Sequence, residues 1–462
     1  MESVVDVQYY GEFLVVSGHL GRPGRHLRCT FHNVTALLSH RYQERCLWQA
    51  QVDPPPASSS PLPSTADVVV MGAGLCGLTA ADTVARNGRS VLVLDKEPLG
   101  WGSSSRNGGM VIPELKAGPA TLERKYGPLG PRLHREVNEA FDFVEAMLCG
   151  SDGLGGIECD WSKPGQLYLA HSERHVEELQ ALADELAAAG DPAHFVDRAG
   201  LAEEIGSEAF SAGVVMERTG AVHPAKLHAG LATRAIAAGA EVHDRTAVIR
   251  LERLSSTLRV HTTRGVVDAG QVIVATNAAV DEAVPWLQER VLPVGSFVIA
   301  TDVLPAEQAR SVSPRGRMMV DTKNLLFYWR LTPDGRMAFG GRRSLDPVEV
   351  TEARDFLYES LLRIHPQLAG VAVEFAWGGN VAMTLDRLPH VGLVEGAWFA
   401  TGCNGSGVGL NTWLGHRLGQ VVTGVASPPA FTELAFRPIP LRAWRSAYLP
   451  LVSRWFTWQD RR

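Results

Sequence analysis

ADVVVMGAGLCGLTAADTVARNGRSVLVLDKE, residues 66–97, is the stretch that decides the fold. Val68, Val69 and Val70 lead an unbroken apolar run, the pattern of a strand covered on both faces in a parallel sheet. A glycine turn follows, then Leu78, Ala81, Val84 and Ala85 at helical spacing. Asn87-Gly88 stops that helix, and VLVL (91–94) reads as a second buried strand, which completes a βαβ unit. Gly72, Gly74 and Gly77 stand in GxGxxG order between strand and helix. The first permits the tight turn, the second lets backbone amides approach a pyrophosphate, and the third lets the helix pack closely on the strand. The helix N-terminus then offers partial positive charge to phosphates. Asp95, 18 residues after Gly77, ends the second strand, where an acid accepts ribose hydroxyls and repels a 2′-phosphate. The whole pattern predicts dinucleotide binding. Cys76 reads as a small packing residue, not a redox thiol.

Composition narrows the class. The 462 residues carry 44 Lys+Arg against 50 Asp+Glu, a net charge of −6, with 45% hydrophobic and 20% charged residues. Such a chain is neither disordered nor a polybasic nucleic-acid binder, which would need a cationic excess. Its six cysteines include no C-x-x-C pair, so neither a disulfide framework nor a metal site is expected. No apolar run reaches the roughly 18 residues of a membrane span. The acidic start, MESVVDVQYYGEFLVV, does not read as a secretory signal, so a cytoplasmic location is expected.

Outward from the βαβ unit, residues 1–42 read as an extension without period. Residues 43–65, which include DPPPASSSPLPST (53–65), read as a Pro/Ser-rich linker region with regular structure beginning after it. Helices are expected near 120–149, 172–189, 226–239, 351–364 and 410–424. Strands are expected near 241–251, within 266–280, where a strand enters a polar turn, and across 291–345, where Thr332-Pro333-Asp334-Gly335 signals a hairpin. The tail 436–462 is basic and aromatic. From Arg437 onward it holds six Arg against one Asp, +5, so the rest of the chain carries −11. It is expected to pack as a helix on the protein's own surface, interrupted at Pro450. An amphipathic membrane-surface helix is the alternative.

A second motif follows the βαβ unit directly. Gly100-Trp101-Gly102-Ser103-Ser104-Ser105-Arg106-Asn107-Gly108-Gly109 resembles the GWGASGRNGG segment of flavin amine oxidoreductases of the D-amino-acid oxidase superfamily, and within it the γ-glutamylputrescine oxidase group. Ser103 and Ser105 depart from that pattern, as does Asp95, where Glu is more usual. The resemblance continues in ATNA (275–278), in DGRMAFGGR (334–342), in WGGNVAMTLDRLPHVG (377–392) and in ATGCNGSGVGLNTWLG (400–415).

The resemblance implies an α/β fold: a Rossmann-type FAD-binding domain (66–150, 220–285 and 375–435) with an inserted β-sheet substrate domain of α+β type (151–219 and 286–374). It implies FAD, bound non-covalently, held by Gly72, Gly74, Gly77, Asp95, Lys96, Ser104, Arg106, Asn107, Gly108, Gly109, Val248, Ala275, Thr276, Asn277 and Gly402. Asn404, Gly405, Ser406, Gly407 and Val408 are expected at the isoalloxazine, where a helix N-terminus faces the flavin's N1–C2=O edge. Cys403, beside that loop, is not expected to bond the flavin covalently.

The implied reaction is oxidation of a C–N bond in an amine or amino-acid derivative. Hydride passes to flavin N5, the imine hydrolyses, and oxygen is the acceptor, giving hydrogen peroxide. No obligatory catalytic residue is predicted. His223 (substrate contact or helix cap), Tyr328 and Arg330 (carboxylate clamp or structural ion pair) are the candidates, with Trp101 and Trp377 as walls. Two alternatives stay open: an amine dehydrogenase serving a quinone or protein acceptor, and a non-catalytic FAD-binding protein. The expected partners are a small amine and an electron acceptor, with no nucleic acid. Membrane contact through the tail is left open.

Overall fold

The computed structural model describes residues 5–10, 13–18 and 36–461. The expectation for residues 1–42 therefore falls partly outside the described residues. Inside them, Val5–Tyr10 and Phe13–Gly18 pair as an antiparallel hairpin.

Two sheets organise the rest. The first is built on Thr65–Met71, flanked in parallel by Val91–Leu94 and Gly265–Val274. Glu241–His243 and Ala397–Thr401 extend it in parallel on either side. Besides Thr65–Met71, the long strand Gly265–Val274 has two further partners: its start pairs antiparallel with Leu258–Thr262, its end parallel with Ala397–Thr401. Alternation along Thr65–Met71 explains the unbroken apolar run. Val68 and Val70 pack against helices, while Val69 and Met71 enter a second core with Leu258, Val260 and Val267. Helices Leu75–Arg86, Leu129–Cys149, Pro224–Ala237 and Gly407–Val422 supply the helical core. Cys76 is buried there and its thiol is pushed up to about 12 by burial, which suits a packing residue.

The second sheet has nine strands and centres on the antiparallel ribbon of Leu292–Thr301 with Val373–Met383, in register from Leu292↔Met383 to Val298↔Trp377. Phe327–Leu331 and Met337–Gly341 form the expected hairpin, closed by Gly335 N donating to Thr332 O at 2.9 Å. Trp329, Phe339 and Ile299 join helix Val350–Ile364 in its core.

Two expectations are corrected. Helix Arg445–Gln459 runs through Pro450, where an interruption was expected. Regular structure does not begin after the linker region. Leu38–Gln43 is an edge strand of the second sheet, parallel to Val373–Met383. Leu47–Ala50 is a helical turn whose Leu47 and Trp48 are buried against Ala225, Phe375 and Trp377. Both elements are short and their partners lie far along the chain, so no local period marks them.

Trp48, 1% exposed, is among the largest fully buried side chains. Trp48→Ala is expected to lower unfolding stability by about 3–5 kcal/mol in a urea titration. A loss below about 1 kcal/mol would return this segment to the status of an appendage.

Candidate functional site

The glycine turn is crowded where the sequence demands it. Gly72 has φ +101°, and a Cβ there would lie 2.9 Å from Ala275 O; a Cβ on Gly77 would overlap the Gly72 carbonyl oxygen. A Cβ on Gly74 would come within 2.8 Å of Ser104 Oγ, which accepts from Leu75 N at 3.1 Å. Asp95 stands at the neighbouring strand end, as placed. Its Oδ2 accepts from Ala73 N at 2.7 Å and its Oδ1 from Glu97 N at 2.9 Å. Burial raises its pKa above the ordinary carboxylate value. Lys96 is exposed and lies 3.6 Å from Asp281.

These groups open on a cavity of about 660 Å³. Of the predicted cofactor residues, it is lined by Gly72, Gly74, Asp95, Lys96, Ser104, Arg106, Val248, Ala275, Thr276 and Asn277. Trp101, half-exposed, and Trp377, buried, are also on its wall. His228 belongs to the same wall. Its Nε2 lies 2.7 Å from Ala73 O, and the sequence did not mark it.

The Gly100–Gly109 loop is held mainly through its backbone. Asn107 Nδ2 donates to Ser103 O and Ser104 O at 3.1 and 3.0 Å, and Gly109 N donates to its Oδ1 at 2.8 Å. Arg106 stacks on Trp101, 4.6 Å from the ring centre, and donates to Gly378 O at 3.2 Å, yet its buried Nε has no partner. Trp377 Nε1 donates to Arg106 O at 2.8 Å. Asn107, Gly108 and Gly109 sit beside the cavity without lining it.

Arg330 has no carboxylate partner among the described residues. It lies 5.3 Å over the Trp48 ring and donates from Nε to Gly108 O at 2.9 Å and from Nη2 to Val222 O at 2.6 Å. Burial lowers its pKa to about 10. The geometry is that of a brace for the loop. The Tyr328 ring packs between Gly108 and Gly340, and its hydroxyl is 3.2 Å from Ser296 Oγ. His223 caps helix Pro224–Ala237: its Nδ1 accepts from Lys226 N at 3.2 Å, so Nε2 holds the proton and donates to Gln51 Oε1 at 3.0 Å. Burial lowers its pKa to about 4, keeping it neutral. It does not line the cavity.

The Gly402–Gly407 loop lies next to the cavity. Asn404, at φ +48°, uses its side chain internally, with Oδ1 accepting from Thr384 N at 3.1 Å and Nδ2 donating to Gly402 O at 2.5 Å. Ser406, the N-cap residue of Gly407–Val422, donates to Glu114 Oε1 at 2.7 Å and accepts from Lys116 Nζ at 2.9 Å. Burial pushes the Glu114 carboxyl up, but Lys116 and Ser406 outweigh it and hold it low. Cys403 Sγ accepts from Asn277 Nδ2 at 3.2 Å. Glu114 and Lys116 escaped the sequence reading because they lie in an irregular stretch without a motif.

The main omission is the segment before the linker. Gln49 Nε2 donates to Gly100 O at 2.6 Å, Ser105 Oγ at 2.8 Å and Trp101 O at 3.2 Å. Trp48 Nε1 donates to Asn107 O at 3.0 Å. Glu44, Arg45, Cys46 and Gln49 line the cavity itself. The residues present fit FAD. Three glycines leave the space a Cβ would fill, a helix N-terminus and a ribose-competent acid share the wall, and a buried Arg106 Nε awaits an acceptor. Gln49→Ala leaves the loop carbonyls short of a donor. It is expected to weaken FAD binding about 5- to 30-fold in a flavin-fluorescence titration, the equivalent of about 1–2 kcal/mol. An unchanged dissociation constant would exclude Gln49 as a support of the cofactor loop.

Comparison with known proteins agrees with this geometry. A family model described as "FAD dependent oxidoreductase" (DAO) matches residues 67–421. Gamma-glutamylputrescine oxidoreductase of Escherichia coli K12 is 29% identical over 403 residues, 86% of this chain and 93% of that protein. A probable oxidoreductase, OrdL, of Haemophilus influenzae is 30% identical over 370 residues, 78% of this chain and 83% of its own length. The crystal structure of glycine oxidase from Geobacillus kaustophilus superposes with a TM-score of 0.70 at 20% identity, covering 82% of this chain and 99% of that one. With a turn, a cavity and a matched stretch that coincide, the chain belongs to the DAO family of FAD-dependent oxidoreductases.

Proposed function

We propose that this chain oxidises the C–N bond of a small amine or amino-acid derivative, using FAD held non-covalently in the cavity between the Gly72 turn and the Val373–Met383 strand. The observation that carries the reading is the similarity to gamma-glutamylputrescine oxidoreductase along 93% of that protein. FAD, when bound, supplies the acceptor for hydride from the carbon bearing nitrogen. The imine left behind hydrolyses in water.

The chain's own work is positioning and desolvation. Phe297 and Trp377 give the cavity apolar walls that exclude water. Gly108 and Gly340 leave room for the Tyr328 ring, whose burial raises its pKa and keeps the hydroxyl protonated. Arg342, at the end of the Met337–Gly341 strand, has no ion pair among the described residues, and its buried Nε has no partner. Burial lowers its pKa, and Tyr328, Arg387 and Cys403 are the groups whose fields it feels. Desolvation between these apolar walls disfavours an ammonium, so the neutral amine, the form that can release hydride, is the one proposed to bind. His223, spent as a helix cap, is not assigned a proton-transfer role. Oxygen is the proposed acceptor, with hydrogen peroxide as product. Transfer to a membrane acceptor is the second reading, favoured by the exposed aromatic face of the C-terminal helix.

Anaerobic mixing with an amine panel that includes γ-glutamylated amines and N-methyl amino acids tests the reading. At least one amine is expected to abolish the visible absorbance of the oxidised flavin, and oxygen uptake in air should then match peroxide formed. Failure with every amine would contradict amine oxidation. Flavin reduction without oxygen uptake would replace oxygen with another acceptor.

A further inference from the structure

The helix Arg445–Gln459 lies beyond the stretch 67–421 that the family model matches. One face binds it to the second sheet's loops. Ser453 Oγ accepts from Leu345 N at 2.9 Å, the Asp460 carboxylate accepts from Asn324 N and Leu325 N at 2.9 and 3.0 Å, and Arg174 Nη2 donates to Gln459 O at 2.7 Å. Leu449 and Ser453 are buried on that side. At about 100° per residue, Leu451, Trp455 and Trp458 fall within about 60° of one another on the opposite side. They are 62%, 52% and 49% exposed, and Trp444, at the N-cap, continues the stripe at 69%.

The exposed charges of this helix and its end have one sign. Arg445, Arg454 and Arg461 are exposed. Asp460, the only acid from Arg437 to Arg462, is turned inward onto Asn324 and Leu325. We propose that this face docks on an anionic phospholipid surface, the helix lying in the headgroup plane. Indole rings favour that interface, and arginines beside them meet anionic headgroups. A second copy is the poorer occupant, because a two-fold contact through this face would bring its arginines together. No helix among the described residues is long and apolar enough to cross a membrane, which leaves a surface mode for this one. The charge division sets the orientation: the tail carries +5 and the rest of the chain −11, so an anionic surface attracts the tail and repels the body.

The test floats full-length, FAD-loaded protein with phosphatidylcholine vesicles, with and without phosphatidylglycerol. Flotation is expected only with phosphatidylglycerol and should fade as salt rises. Leu451→Ser with Trp455→Ser, and separately Arg445→Glu with Arg454→Glu, should each weaken binding about tenfold or more while flavin content and the circular dichroism spectrum stay unchanged. No flotation with anionic vesicles would overturn the proposal, as would equal flotation with neutral ones. A dimer in sedimentation that both variants dissolve, in protein that does not float, would assign the face to a second copy instead.

Discussion

Everything in this fold hangs on backbone contact at positions where a side chain cannot fit. A Cβ on Gly77 would overlap the Gly72 carbonyl oxygen, so helix Leu75–Arg86 can begin directly against the strand ends only because Gly77 has none. The same device repeats one layer out. A Cβ on Gly415 would overlap the Cys76 carbonyl, and one on Gly419 would lie 2.7 Å from Thr83 Cβ, so helix Gly407–Val422 lies closely on Leu75–Arg86. Strand, helix and helix thus stack at backbone distance. The N-terminus of the inner helix faces the cavity, while the loop that opens the outer one lies beside it.

The loops around that cavity are held by side chains from distant parts of the chain. Backbone carbonyls of the Gly100–Gly109 loop need donors once they are removed from water. Gln49, Trp48 and Arg330 provide them. Arg330 was a candidate substrate clamp. Its guanidinium instead braces Gly108 and Val222 over the Trp48 ring, while Arg342, the residue after strand Met337–Gly341, has no ion pair among the described residues.

Much of this was legible in the sequence, and the pattern of what was not has a physical cause. The Gly72–Asp95 unit was readable because its chemistry is local: strand, turn, helix and acid occur in chain order. The hairpin at Thr332–Gly335 and helix Pro224–Ala237 were readable for the same reason. Leu38–Gln43, Leu47–Ala50 and the Glu114–Lys116–Ser406 cluster were not, since a single edge strand, one helical turn and an ion pair in irregular chain have no period. Asn404 resembled a flavin contact by motif, yet its side chain is committed to Thr384 and Gly402. A motif shows which residues recur together. It does not show whether each faces the ligand or supports the loop that does.

We propose that this cavity holds one FAD without a covalent bond. Purified protein reconstituted with FAD, freed of excess and then denatured in acid, tests it directly. The expected result is one FAD per chain, all of it released into the supernatant. Flavin retained by the precipitated chain would contradict non-covalent binding and direct attention to Cys403, and a chain that takes up no flavin would contradict the assignment of the cavity itself.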